Sequence, residues 1–322
     1  MAERIDELRV DIDDIDATQV SSSQYDIGIW AAGYESRAGW LVQSEFKPRL
    51  VKEWHRVEFL EHRDSLSAPA NLSLGLGSVV GASPASSQWD GHWYRVWCDL
   101  LAREFKRFGR RMSLFADYSS MPRTVYGPLL FAVFGICREL VESLTLAYVP
   151  GKWDPSKEGS TEVKGLRSLV ETGHPSQHAR EPAFLMGLGY DGVLAEAILE
   201  LFQVNHFSSF YADPGVTEDA VERARTANAD VLVNSELVAT APAWSIPRSC
   251  RVCLELAEWY LPQRDVILII LGPKPHVVGG ILAAVVDRRI AYRISRAGRV
   301  RPVQVTVPDG AVPFFAELRV SP

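Results

Sequence analysis

The apolar positions of this chain fall in short continuous runs, each broken by glycine or proline and followed by residues at helical spacing. "YDIGIWAAGYESRAGWLVQ" predicts a buried strand over residues 26–32, a break at Gly33 and then a helix start. A second strand is expected around 57–60, followed by a long surface loop over 65–87 that is rich in Ser, Ala and Gly. Trp93, Trp97, Leu100, Leu101 and Phe105 then recur at helical spacing, with Asp90 as the expected N-cap. "RRMSLFADYS" predicts a strand, "TVYGPLLFAVFGICREL" a helix and "SLTLAYVPG" a further strand. Strands alternating with helices argue for a parallel sheet covered on both faces.

Residues 151–180 are polar and carry no clean apolar period, as expected of a linker or excursion. The order of elements then begins again. "PAFLMGLGYDGVLAEAILELF" reads as strand, glycine turn and helix, and "SSFYADPG" as a strand ending in a turn. Two helical stretches follow, then the apolar strand "DVILIILG", a short helix and a late strand in "RRIAYRIS". Gly-Tyr-acid closes the first strand of each half, with Gly33 and Gly189 lying 156 positions apart. Gly127 and Gly279, in the helix after a later strand, lie 152 apart. The expectation is an α/β protein of two tandem Rossmann-like modules with mainly parallel sheets, related by a degenerate internal duplication. Its parts are an N-terminal extension (1–24), a first module (25–150), the linker (151–180) and a second module (181–322).

Composition narrows the class. With 47% hydrophobic and 23% charged residues, the chain can bury a large core without disulfides. A net charge of −6 gives no general attraction to duplex nucleic acid. The acidic N-terminus lacks the apolar segment of a signal peptide, and the apolar runs are too short and interrupted for an ordinary membrane helix. Four cysteines, two of them isolated, fit a reduced cytoplasmic protein.

Ligands of parallel α/β sheets bind beyond the carboxyl ends of the strands, where helix N-termini favour anions. Four stretches are expected there. "AAGYESR" offers Gly33 for a tight turn, Tyr34 for stacking, Glu35 and Ser36 for hydrogen bonds and Arg37 for phosphate. "ADYSSMPR" offers Asp117 for a ribose hydroxyl, Tyr118 for stacking, and Ser119, Ser120 and Arg123 for phosphate oxygens. Equally, one of those serines would serve as an N-cap, with Arg123 a surface residue. "GLGYDG" offers Gly189, Tyr190 and Asp191, and "LGPKPH" offers Gly272, Lys274 and His276. Gly187, Gly189 and Gly192 also have dinucleotide-loop spacing, with Asp213 about twenty residues beyond, so a nicotinamide cofactor stays an alternative. Cys250 and Cys253 lack the partners of a metal site and read as buried packing residues, and Pro175 argues against His174 and His178 as a helical ligand pair. No metal is expected, and no cofactor is assigned.

"DYSSMPR" also resembles the D-x-T-G-G-T-K-like stretch of CRISPR-associated Rossmann-fold (CARF) sensor domains. Asp117, Ser119 and Arg123 match its acid, hydroxyl and basic positions, while Ser120, Met121 and Pro122 depart from it. The related SAVED domains resemble two such modules fused in one chain. The resemblance implies a cyclic-oligonucleotide signal in prokaryotic antiviral defence and, as no effector is recognisable here, an effector protein on a separate chain. The expected function is therefore a nucleotide- or cyclic-oligonucleotide-binding sensor or adaptor. The alternatives are a nucleotide-processing or NAD(P)-dependent enzyme on the same scaffold, and a non-catalytic structural subunit of a defence complex. Assembly with further copies of the chain is left open.

Overall fold

The computed structural model describes residues 10–59, 64, 66–83, 91–152, 163–168, 180–297 and 305–320. Two compact units form, one on a seven-stranded and one on a six-stranded sheet. The elements of the first are β1 (Val10–Ile15), α1 (Ala17–Ser22), β2 (Gln24–Ala32), α2 (Trp40–Gln43), β3 (Leu50–Phe59), α3 (Ala68–Ser73), β4 (Ser78–Ser83), α4 (His92–Phe108), β5 (Met112–Asp117), α5 (Arg123–Phe134) and β6 (Val141–Tyr148). Those of the second are β7 (Val163–Ser168), β8 (Pro182–Gly187), α6 (Gly192–Leu201), β9 (Phe207–Ala212), α7 (Ala220–Ala227), α8 (Ala229–Asn234), β10 (Val238–Ala241), α9 (Ile246–Tyr260), β11 (Asp265–Ile270), α10 (Lys274–Val286) and β12 (Ile290–Ala297). A last strand, β13 (Phe314–Val320), returns to the first unit.

The first sheet runs β1-β13-β6-β5-β2-β3-β4 and the second β10-β9-β8-β11-β12-β7. Renumbered from the first parallel strand, both parallel cores read 3-2-1-4-5, the doubly wound order. Each core also ends in an antiparallel neighbour on its fifth strand: β13 on β6, and β7 on β12. Two tandem Rossmann-like modules are thus present, with the same winding. The central strands are buried on both faces, which is why they read as continuous apolar runs rather than alternating ones. In the first unit Trp30, Phe115 and Trp54 pack on one side, while Trp97 on the other donates from Nε1 to Val125 O (2.9 Å), tying α4 to α5.

Several boundaries differ from those drawn along the sequence. β13 belongs with the first module, and β1, drawn as part of an extension, is its edge strand through β13. Of the linker, Val163–Ser168 is the edge strand of the second sheet. Antiparallel returns leave no trace in chain order, so strand pairing alone reveals them. The loop drawn over 65–87 contains α3 and β4, and the helix expected after Gly33 is one 3-10 turn and the single turn of α2. Helix α4 starts with Gly91 at its N-cap. Asp90, residues 1–9, and His174 and His178 lie outside the described residues.

One contact repeats between the modules with its chemistry intact. Asn71 Nδ2, from α3, donates to Gly33 O (2.8 Å) and Glu35 O (2.9 Å). Asn228 Nδ2, just before α8, donates to Gly189 O (2.7 Å) and Ala224 O (2.7 Å). Each asparagine follows an alanine and follows the second parallel strand, and each clamps the glycine carbonyl beyond the first; they lie 157 positions apart. Both are buried, so removing either amide strands a buried carbonyl, that of Gly33 or of Ala224. Asn71→Ala and Asn228→Ala should each cost about 1–3 kcal/mol of unfolding free energy. The exposed Asn234→Ala should cost under about 0.5 kcal/mol. Urea unfolding checks this, and clamp variants no less stable than the Asn234 variant would refute the assignment.

Candidate functional site

In each module the order of parallel strands reverses between the first and the fourth, so the loops after β2 and β5, and after β8 and β11, part there. The four predicted stretches occupy these four loops. How each pair is stitched decides what fits between them.

In the first module the stitching is done by side chains. Asp117 Oδ1 accepts from Ser119 N (3.0 Å) and Ser119 Oγ (2.5 Å), closing an Asx turn at the end of β5. Ser119 Oγ in turn accepts from Val149 N (2.8 Å), and Ser120 Oγ donates to Ala31 O (3.2 Å) across the reversal. Tyr118 is enclosed, its ring 5.3 Å from that of Tyr126 and 5.5 Å from that of Tyr148. Burial pushes its phenol well above the ordinary range. Arg37 is likewise enclosed: Nε pairs with Glu35 Oε2 (2.5 Å), Nη1 donates to Val149 O (3.3 Å), and the guanidinium lies over the Tyr148 ring. Ser36 is exposed and donates to Val305 O (3.1 Å).

Asp117, Tyr118, Ser119 and Arg37 are therefore buried and stitch these loops from within. Tyr34, Glu35, Ser120 and Arg123 are the half-buried residues of the two loops. Gly33 and Ser120 adjoin, since a Cβ on Gly33 would lie 3.5 Å from Ser120 Oγ, an ordinary van der Waals contact rather than a clash. Helix α5 begins beside them, with Pro122 at its N-cap and Arg123 at its first position. Proline brings no side-chain acceptor, and a cation at the first turn opposes the helix dipole.

The second module is stitched by backbone. Leu271 N donates to Gly187 O (2.6 Å), and Gly272 N reaches the same oxygen (3.2 Å). A Cβ on Gly189 would come within 2.6 Å of Leu271 O, and one on Gly272 within 2.8 Å of Leu188 O. The glycines expected to admit a ligand thus admit the opposite loop. Gly192, third in the dinucleotide-like spacing, is held by the helix packing itself, where a Cβ would fall 1.6 Å from Ala227 O. Asp191 caps α6 by accepting from Leu194 N (3.0 Å), which sets a carboxylate where a pyrophosphate would sit. Tyr190 is exposed under the Arg223 guanidinium (4.8 Å), and Lys274 starts α10 as Arg123 starts α5. Cys250 and Cys253 are buried in α9, and burial pushes the Cys250 thiol up to about 12.

His276 is not at the surface of its loop. It is fully buried, its ring 5.5 Å from that of Phe210, and its Nε2 faces Pro242 O (3.0 Å). A carbonyl partner requires a hydrogen on Nε2, which leaves Nδ1 as the acceptor. Three residues that shape these loops were not singled out from the sequence: Asn71, Asn228 and Tyr148. The Ala-Asn pair common to both halves was the one trace of the first two.

Comparison of the chain with protein-family models and with curated proteins gives no match.

Burial lowers the His276 pKa to about 4, against the weaker opposing pull of the Pro242 and Ala241 carbonyls. Between pH 6.5 and that value the unfolded chain binds a proton that the folded chain refuses. The associated stability is full above pH 6.5 and is lost as pH falls toward 4, by roughly 3 kcal/mol in all. Urea unfolding at pH 7 and pH 4.5 should show a fall that is shallower in His276→Gln. Equal falls in the two proteins would contradict the assignment.

Proposed function

We propose that the chain is a nucleotide- or cyclic-oligonucleotide-binding sensor or adaptor whose ligand sits between the loops after β2 and β5. The observation that carries this reading is the helix start Pro122-Arg123, without a side-chain cap, at the loop where the parallel strand order reverses. An anionic ligand there meets helix N–H groups and the Arg123 guanidinium together, and relieves the repulsion between that cation and the helix dipole. The half-buried Tyr34 and Glu35 supply an aromatic face and an acceptor for a hydroxyl. Asp117 and Ser119 are spent on the turn, which favours binding over bond-making by that pair. The partial likeness of "DYSSMPR" to CARF sensors, together with two modules in one chain, supports a signalling ligand and an effector on another chain.

A nicotinamide-dependent enzyme is the second reading. Asp213 favours it, because it follows β9 beside the glycine loop, where a ribose acid would stand. Against it stand the Asp191 carboxylate at the start of α6 and the closed backbone contact of Gly189 with Leu271.

Thermal unfolding with cyclic di- and oligonucleotides, ATP and NAD(P) separates these readings. One phosphate-bearing ligand should raise the melting temperature, with the rise abolished in Arg123→Ala, retained in Lys274→Ala and unaccompanied by turnover. A rise that depends on Lys274 and not on Arg123, turnover of the ligand, or no rise with any ligand would each overturn the proposal.

A further inference from the structure

A cluster of ionisable side chains lies near the start of β3, away from the loops at the strand ends. Glu53 and His55 alternate along β3 and so share one face of the sheet. Glu104 comes from α4, in the buried stripe that also carries Trp93, Trp97, Leu100 and Leu101. One oxygen from each carboxylate and one ring nitrogen of His55 lie within 4.8 Å of one another. His55 is fully buried and Glu104 nearly so, which separates this group from the exposed acidic clusters common on protein surfaces.

The orientation of the imidazole adds a second observation. His55 Nδ1 is 2.9 Å from Ser78 Oγ, on the neighbouring strand β4. His55 Nε2 is buried and makes no hydrogen bond to any described group. With Ser78 Oγ accepting from Nδ1–H, the Nε2 lone pair is left for a ligand, the second-layer arrangement of a metal-binding histidine. A cation is also already drawn to the point where the carboxylates converge. Arg107 Nη1 contacts Glu53 Oε2 and lies 3.1 Å from Glu104 Oε2, while Arg103 Nε holds Glu104 Oε1 at 2.9 Å. The Arg107 side chain is 52% exposed, so it can leave for solvent without being desolvated elsewhere.

We propose that Glu53, His55 and Glu104 bind one divalent cation of the Zn2+ class, with Arg107 as the exchangeable counter-cation that the metal displaces. One imidazole nitrogen and two carboxylate oxygens are a donor set for zinc, and the nitrogen disfavours Mg2+ and Ca2+, which take oxygen ligands. Arg103 stays on the outer oxygen of Glu104 and holds that carboxylate in place.

Calorimetric titration of ZnCl2 into the chelator-treated full chain tests this, with far-UV circular dichroism confirming that each variant is folded. The wild type should bind one equivalent, which excess Mg2+ does not displace. Glu53→Gln should weaken binding by at least about tenfold. Arg107→Ala should tighten it, a result a purely structural ion pair would not give. Cys250→Ala with Cys253→Ala should leave it unchanged. No binding in either the wild type or Arg107→Ala overturns the proposal, as does binding that Glu53→Gln leaves intact or that the cysteine substitutions abolish.

Discussion

Crossover connections between parallel strands are right-handed, so a sheet that grows in both directions from one strand sends its helices to opposite faces. At the strand where growth reverses, the two loops must part. Both modules obey this constraint, at β2/β5 and at β8/β11, and every feature of the candidate site follows from how the gap is bridged. Side-chain bridges, such as Ser120 Oγ to Ala31 O, hold the loops at a distance set by the side chain. Backbone bridges, such as Leu271 N to Gly187 O, bring them into contact. One winding thereby gives one module whose loops are joined through side chains and one whose loops are joined through backbone.

The repeat is visible where physics leaves least freedom. A glycine carbonyl leaving the first strand needs a buried donor, and an asparagine from beyond the second strand supplies it in both modules. Proline followed by a cation opens the helix after the fourth strand in both. The loops differ in their polar groups. The first module spends an acid and two hydroxyls on its turn, whereas the second relies on small residues and close approach.

The alternation of strands and helices in two mainly parallel modules was legible in the sequence, because strands buried on both faces are uninterrupted apolar runs and their ends are marked by glycine. The positions of "GYESR" and "DYSSMPR" at adjoining strand ends were legible for the same reason. The orientation of individual side chains was not. "DYSSMPR" gives no sign that Tyr118 turns inward between Tyr126 and Tyr148, or that Asp117 closes on Ser119, since both depend on β6 lying alongside. His276 sits beside a half-buried lysine in sequence, but the first helical turn carries it beneath the sheet end against Phe210. Glu104 was concealed by being one charge in an otherwise apolar stripe, and its neighbours Glu53 and His55 come from a strand about fifty residues away. The return of β13 to the first sheet depends on pairing over a long separation, which local pattern does not encode.

The central claim is that the first module takes the ligand and the second does not. Amide hydrogen exchange in the presence of a nucleotide that binds the chain tests it most directly, because it reports each loop separately. The account predicts new protection in residues 33–37 and 119–124, with residues 187–192 and 271–276 unchanged. Protection confined to the second set, or spread equally over both, would contradict it.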